Sequence, residues 1–122
     1  MPLSDSMRAR HILDAAREAV ALSRGRCRAD LDTDRLLALG LTHLLEIIGE
    51  AAKGISPAFR EKYPHLRWKE MAGMRDRLIH GYFDVNLDVV WQTVTTNLPP
   101  LIAGLERIEM PKPNGENEIR QA

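Results

Sequence analysis

Between residues 4 and 108 apolar side chains recur at three- and four-residue intervals, the spacing of one face of an α-helix. Ile12, Ala15, Ala16, Ala19, Val20 and Leu22 form the first such stripe. Ser4 or Ser6 ahead of it can accept from the free amides of a helix start. Arg24-Gly25 behind it offers a cation and a glycine for the stop. Residues 26–32 are polar and read as a connection with room for a short turn. A second stripe, Leu37, Leu41, Leu44, Ile48 and Ala51, is broadened by Leu36, Leu45 and Ile47. It predicts the longest and most apolar helix ahead of residue 75, capped by Asp32 or Thr33, closed by Gly54, and apolar enough to meet more than one neighbour.

Ser56-Pro57 predicts a short helix to about Lys62, with proline at its first position. Tyr63-Pro64 ends it. Trp68, Met71, Ala72, Leu78 and Ile79 then predict a third main helix from about Leu66 to Ile79 or His80, with Gly81 as its stop. Asn86 can cap a fourth, with Val85 and Val90 at the positions of a hydrophobic staple. Val89, Val90, Val94, Leu98 and Leu101 supply its buried face. Pro99-Pro100 must kink or interrupt it before a last helical stretch to about Ile108.

Alternating strand patterns are nearly absent, and no repeat is visible. The fold class expected is therefore all-α, an antiparallel bundle of four main helices plus short helices. It occupies a single domain over 1–110. From Met110 on, Pro, Lys, Asn, Gly and Glu dominate, and 111–122 is expected to be a disordered tail.

The chain has 122 residues, enough for one core. Lys plus Arg and Asp plus Glu are 17 each, so the net charge is zero. No overall positive field draws in nucleic acid, and any RNA contact must come from a local basic patch. Cys27 stands alone, which excludes an internal disulfide and a cysteine zinc cage. The start does not resemble a signal peptide. The most apolar run, Leu36 to Ala52, is interrupted by His43, Glu46 and Glu50 and is short for a membrane span. A soluble, cytoplasmic protein without membrane contact is expected.

Chemistry concentrates in Arg75-Asp76-Arg77-Leu78-Ile79-His80-Gly81-Tyr82. Arginine grips phosphate through a planar fork of donors. Histidine exchanges a proton near neutral pH. RNA cleavage without a metal needs both abilities. Geometry resists a simple reading, because Arg75 and His80 would point about 140° apart on an unbroken helix. A helix break near Gly81, a partner subunit, or both would bring them together. The plainer alternative makes Arg75, Asp76 and Arg77 a salt-bridged helix face, His80 a cation at a helix C-terminus and Tyr82 a core phenol.

Other clusters carry less. His43, Glu46, Glu50 and Lys53 share a stripe about 80° wide. They give His-x-x-Glu once, where a carboxylate-rich diiron site needs Glu-x-x-His twice. A solvated, salt-bridged face is expected, and no metal. His11 and His65 stand alone as surface residues, Trp68 and Trp91 suit packing better than base stacking, and Arg24, Arg26 and Arg28 read as a solvated loop. Gly-rich phosphate loops, Gly-x-Ser-x-Gly and a Cys–His nucleophile pattern are absent.

The Arg, four residues, His, one residue, Tyr arrangement resembles the signature of HepT-type toxins in the HEPN superfamily of ribonucleases. Leu45 to Lys53 is similar to that family's second-helix signature, and Tyr63-Pro64 followed by Trp68 to its lead-in to the third helix. Met74 to Phe83, running on through Val85-Asn86-Leu87-Asp88-Val89-Val90-Trp91, continues the likeness, which covers about residues 5–108.

The resemblance implies a HEPN bundle that forms a homodimer with two motif copies lining one cleft. It also implies endoribonuclease activity on cellular RNA, mRNA or tRNA. It further implies a toxin–antitoxin pair with a cognate MntA-like nucleotidyltransferase antitoxin, which transfers AMP from ATP to the motif tyrosine. ATP would be used by that partner, and this chain would need no cofactor. Arg75 and His80 match the catalytic pair, Tyr82 the AMP acceptor, and Asp76 and Arg77 supporting or RNA-binding positions. Asp76 stands where the family often has Asn, adding negative charge beside a phosphate site. A non-catalytic HEPN subunit that binds nucleotide or RNA beside a nucleotidyltransferase is the competing implication.

Overall fold

The computed structural model describes residues 3–80 and 84–108. Helix α1, Asp5–Ser23, starts where Ser4 Oγ accepts from the Met7 amide at 3.1 Å. It stops at Arg24, and Gly25 follows at φ 72°, a left-handed conformation that glycine adopts without strain. A single turn, α2, Asp30–Thr33, occupies part of the polar connection. The cap of the next helix therefore moves to Asp34, one or two residues beyond Asp32 and Thr33, where its carboxylate accepts from the Leu37 amide at 3.0 Å.

Helix α3, Arg35–Lys53, ends at Gly54. It packs antiparallel to α1. At one end the Asp5 carboxylate accepts from the Ser56 amide at 2.9 Å and from Ser56 Oγ at 2.6 Å. At the other, Leu22 approaches Gly40. These bonds from Ser56, side chain first, hold the Asp5 carboxyl below its ordinary value of 3.8. Ser56 Oγ also accepts from the Phe59 amide, capping α4, Pro57–Lys62.

The expected third main helix is two short ones, α5, Trp68–Ala72, and α6, Met74–Leu78, separated at Gly73. A two-residue strand, β1, Ile79–His80, follows and pairs antiparallel with β2, Asp84–Val85, so that Ile79 faces Val85 and His80 faces Asp84. Asn86 caps α7, Leu87–Gln92, by accepting from the Val89 amide. The interruption demanded by the two prolines appears just ahead of them, as a π-helical stretch over Thr93–Asn97. Thr93 and Thr95 hydroxyls donate there to the Val89 and Trp91 carbonyls. Helix α8, Leu98–Leu105, then carries Pro99 and Pro100 in its first turn, where a missing amide hydrogen costs little.

The core lies between α1 and α3 and is covered by α5, α6 and α8, with Ile12, Leu41, Leu45, Ile48, Leu78 and Leu98 fully buried. Trp68 is buried in it and donates from Nε1 to the Tyr63 carbonyl, while Trp91 is half-buried against it. Leu22 and Leu36, assigned by periodicity to buried stripes, are exposed. Among the described residues no helix is long and apolar enough to cross a membrane. The expected tail over 111–122 lies outside the described residues.

Candidate functional site

Arg75 sits on the first turn of α6, exposed, with its Nε 3.7 Å from Glu46 Oε2 of α3. This placement depends on Gly49, one helical turn beyond Glu46 on the same face. A Cβ at Gly49 would lie 3.5 Å from the Met71 carbonyl oxygen and 3.6 Å from the Arg75 amide. The backbone where α5 passes into α6 thus rests directly on α3, which brings the Arg75 guanidinium beside Glu46.

The helix then ends two residues before His80. The Ile79 amide makes the last helical bond, to the Arg75 carbonyl, and Ile79 itself is extended at φ −115°, ψ 119°. The Leu78 carbonyl accepts instead from the Asn86 amide at 2.7 Å, across the returning chain. The stop expected at Gly81 therefore falls earlier. Its cause is the pairing of β1 with β2 rather than the conformational freedom of a glycine. Arg75 and His80 occupy different elements, and the angle imposed by a continuous helix does not apply to them. The side chain of His80 and all of 81–83, Tyr82 included, lie outside the described residues.

Asp76 and Arg77 are exposed on α6, and among the described residues neither enters an ion pair. Arg77, about 200° around the helix from Arg75, lines a groove of about 530 Å³ between α5, α6 and α8. On the other side, Glu46 and Glu50 line a shallow depression of about 470 Å³ with His11 and His43. The carboxylates there are engaged, Glu46 by Arg75 and Glu50 by Lys53 at 3.7 Å. This is the salt-bridged face the spacing suggested. Among the described residues no group of three or more His, Cys, Asp or Glu side chains converges as a ligand set.

The Arg24, Arg26 and Arg28 cluster is held by acids in part, with Arg26 on Asp30 and Asp34 and Arg28 on Asp32 and Asp88. Asp88 raises the Arg28 pKa further. His65 is exposed and its Nε2 lies 3.2 Å from the Gly104 carbonyl oxygen, whereas His11 is partly buried rather than a free surface residue. Sequence spacing gave Glu46 only a minor place. Its pairing with Arg75 is a contact between α3 and α6 that no local motif encodes.

Comparison with known proteins identifies relatives over most of this length. The sequence profile described as "Ribonuclease HepT-like" matches residues 12–108. The chain is 42% identical over 91 residues to "Putative RNase TTE0752" of Caldanaerobacter subterraneus subsp. tengcongensis, covering 75% of this chain and 81% of that protein. It is also 42% identical over 82 residues to "Probable ribonuclease HepT" of Thermococcus cleftensis, covering 67% of this chain and 74% of the other. No solved structure gives a significant match. With the profile spanning α1 to the end of the described chain, and the break after α6 within it, this protein belongs to the HepT-like ribonuclease family.

Proposed function

We propose that this protein is a metal-independent endoribonuclease in which Arg75 and His80 act on one RNA phosphate. The observation that carries the reading is the end of α6 at Leu78, which frees the two residues from a shared helical phase. The names of its relatives support the substrate class. In the reaction the RNA 2′-oxygen attacks the adjacent phosphorus, a P–O2′ bond forms and the P–O5′ bond breaks. His80 serves the proton transfers, removing the 2′ proton or supplying one to the departing 5′ oxygen. The Arg75 guanidinium stabilises charge on the phosphate oxygens. The products are a 2′,3′-cyclic phosphate and a free 5′-hydroxyl.

The working form in this reading is a homodimer. Leu36, Leu39, His43, Glu46 and Glu50 fall within a stripe about 80° wide on the outer face of α3. Leu36 is 82% exposed and Leu39 51%. A second copy packed on this apolar end would cover both leucines and carry the two Arg75–Glu46 pairs toward each other. The further roles rest on the family resemblance. The protein is the toxin of a pair, acts on mRNA or tRNA, and is silenced when a cognate nucleotidyltransferase antitoxin moves AMP from ATP to Tyr82. An appended AMP adds bulk and negative charge, both hostile to RNA.

Purified protein incubated with total RNA in EDTA, beside Arg75→Ala and His80→Ala, tests the nuclease. The parent is expected to cleave and each variant to lose about 100-fold or more in rate. Equal cleavage by both variants, or abolition by EDTA, removes this mechanism. RNA binding without cleavage by the parent would favour the non-catalytic subunit instead. Co-expression with the antitoxin should add about 329 Da per AMP, and Tyr82→Phe should prevent the addition.

A further inference from the structure

The groove beside Arg77 gathers several arginines that, among the described residues, no acid holds. Three arginines reach it from three separate elements: Arg67 at the start of α5, Arg77 on α6 and Arg107 just beyond α8. All three are exposed, and among the described residues none makes an ion pair. Elsewhere Arg10, Arg17, Arg26, Arg28 and Arg75 each pair with a carboxylate, and Arg8, Arg24, Arg35 and Arg60 enter no ion pair among the described residues. Among the described residues Glu70 is the sole acid lining the groove. Its floor is apolar, with Pro100, Leu101 and Ala103 accessible over the buried Met71, Met74 and Leu98, and His65 and Asn97 add polar edges.

Unmatched guanidiniums above an apolar floor suit a ligand that alternates charge with flat, weakly polar surface. Single-stranded RNA has that character, with phosphates for the arginine forks and base faces for the floor. A chain of zero net charge needs such a local patch to hold a polyanion at all. Arg77 stands two positions from Arg75 on the same short helix but about 200° around it, so an RNA strand that reaches both passes around α6.

We infer that this groove is a substrate-binding site, in which Arg67, Arg77 and Arg107 hold the phosphates of the single-stranded RNA flanking the cleaved bond. The inference rests on the ribonuclease reading above. It makes the groove a determinant of affinity and of preference for unpaired RNA, separate from the groups that move protons. The apolar floor favours unpaired bases over a duplex, whose bases are stacked away from the protein.

The test uses the full chain and a short fluorescent single-stranded RNA, with binding read by anisotropy in the His80→Ala background and cleavage read in the parent background. Arg67→Ala combined with Arg107→Ala is expected to weaken binding roughly tenfold and to flatten the salt dependence by about one to two units of slope. In cleavage the loss is expected mainly in KM. Arg24→Ala, an exposed arginine outside the groove, serves as the control and is expected to bind as the parent does. Unchanged affinity and KM in the double variant, while the parent still cleaves, overturns the groove and leaves the nuclease standing. A parent that neither binds nor cleaves RNA overturns both. Unchanged RNA affinity together with loss of a co-purifying acidic protein would assign the groove to a protein partner and likewise overturn the inference.

Discussion

Arg75 is tied to Glu46 by one long contact, 3.7 Å, with the guanidinium more than half exposed. Such a pair contributes little to stability, typically below about 1 kcal/mol. It leaves the arginine available for a phosphate. Glu46→Gln is therefore expected to leave thermal stability nearly unchanged and to alter cleavage by less than about tenfold, far less than Arg75→Ala. Arg75→Lys should recover only part of the loss, because an ammonium lacks the planar fork. Steady-state kinetics on the four proteins checks this.

A second residue-scale expectation concerns acid. The Asp5 carboxyl is held below its ordinary value by bonds from Ser56, and that of Asp34 by the Leu37 amide and then Arg26. A carboxyl with a lowered folded-state pKa adds stability above its unfolded value, and the gain is lost as pH falls through the folded one. Urea midpoints should thus begin to fall as pH drops toward 4 and continue below it. Asp5→Asn should lower the midpoint at neutral pH and weaken this acid dependence. An Asp5→Asn protein with the parent's pH profile would contradict the assignment.

Among the elements, those with a local chemical signal were legible. Ser4, Ser56 and Asn86 cap the helices that their positions suggested, and Gly25 takes the left-handed turn. The segment from Leu66 to His80 was not legible in the same way. Its apolar spacing fits one helix, yet Gly73 divides it and the β1–β2 pairing ends it at Leu78. That pairing depends on Val85 and Asn86 folding back onto Ile79 and Leu78, a contact that helical periodicity cannot contain. Pro99 and Pro100 do interrupt the α-helix, but the backbone absorbs them one turn earlier, in the π-helical stretch at Thr93–Asn97. Leu78, fully buried at the end of α6, anchors the break. Leu78→Ala is expected to cost about 2–5 kcal/mol in urea unfolding. It should also lower cleavage at temperatures where the fold is still intact, because His80 follows two residues later.

On the scale of the whole molecule, the all-α class was legible because the apolar period covers nearly the whole described chain. The association of distant arginines was not. Arg67 and Arg107 are forty residues apart in sequence and line one groove only because the fold brings the start of α5 and the end of α8 to its rim. The exposure of Leu36 and Leu39 was likewise hidden, since periodicity assigns both to a broad apolar helix without saying which side meets the core. If a second copy covers them, Leu36→Glu with Leu39→Glu should shift the protein from dimer to monomer in light scattering. The same change should reduce cleavage per protomer, while helix content by circular dichroism stays the same. A variant that remains dimeric moves the interface elsewhere.

In the proposed reaction Arg75 and His80, released from a common helix by the break at Leu78, cleave RNA through its own 2′-hydroxyl. A defined RNA cut at one position by the parent, compared with the same RNA carrying a single 2′-deoxy residue there, tests it most directly in EDTA. A 2′,3′-cyclic phosphate on the intact RNA and no cleavage at the deoxy position are expected. Cleavage that continues at the deoxy position would contradict it.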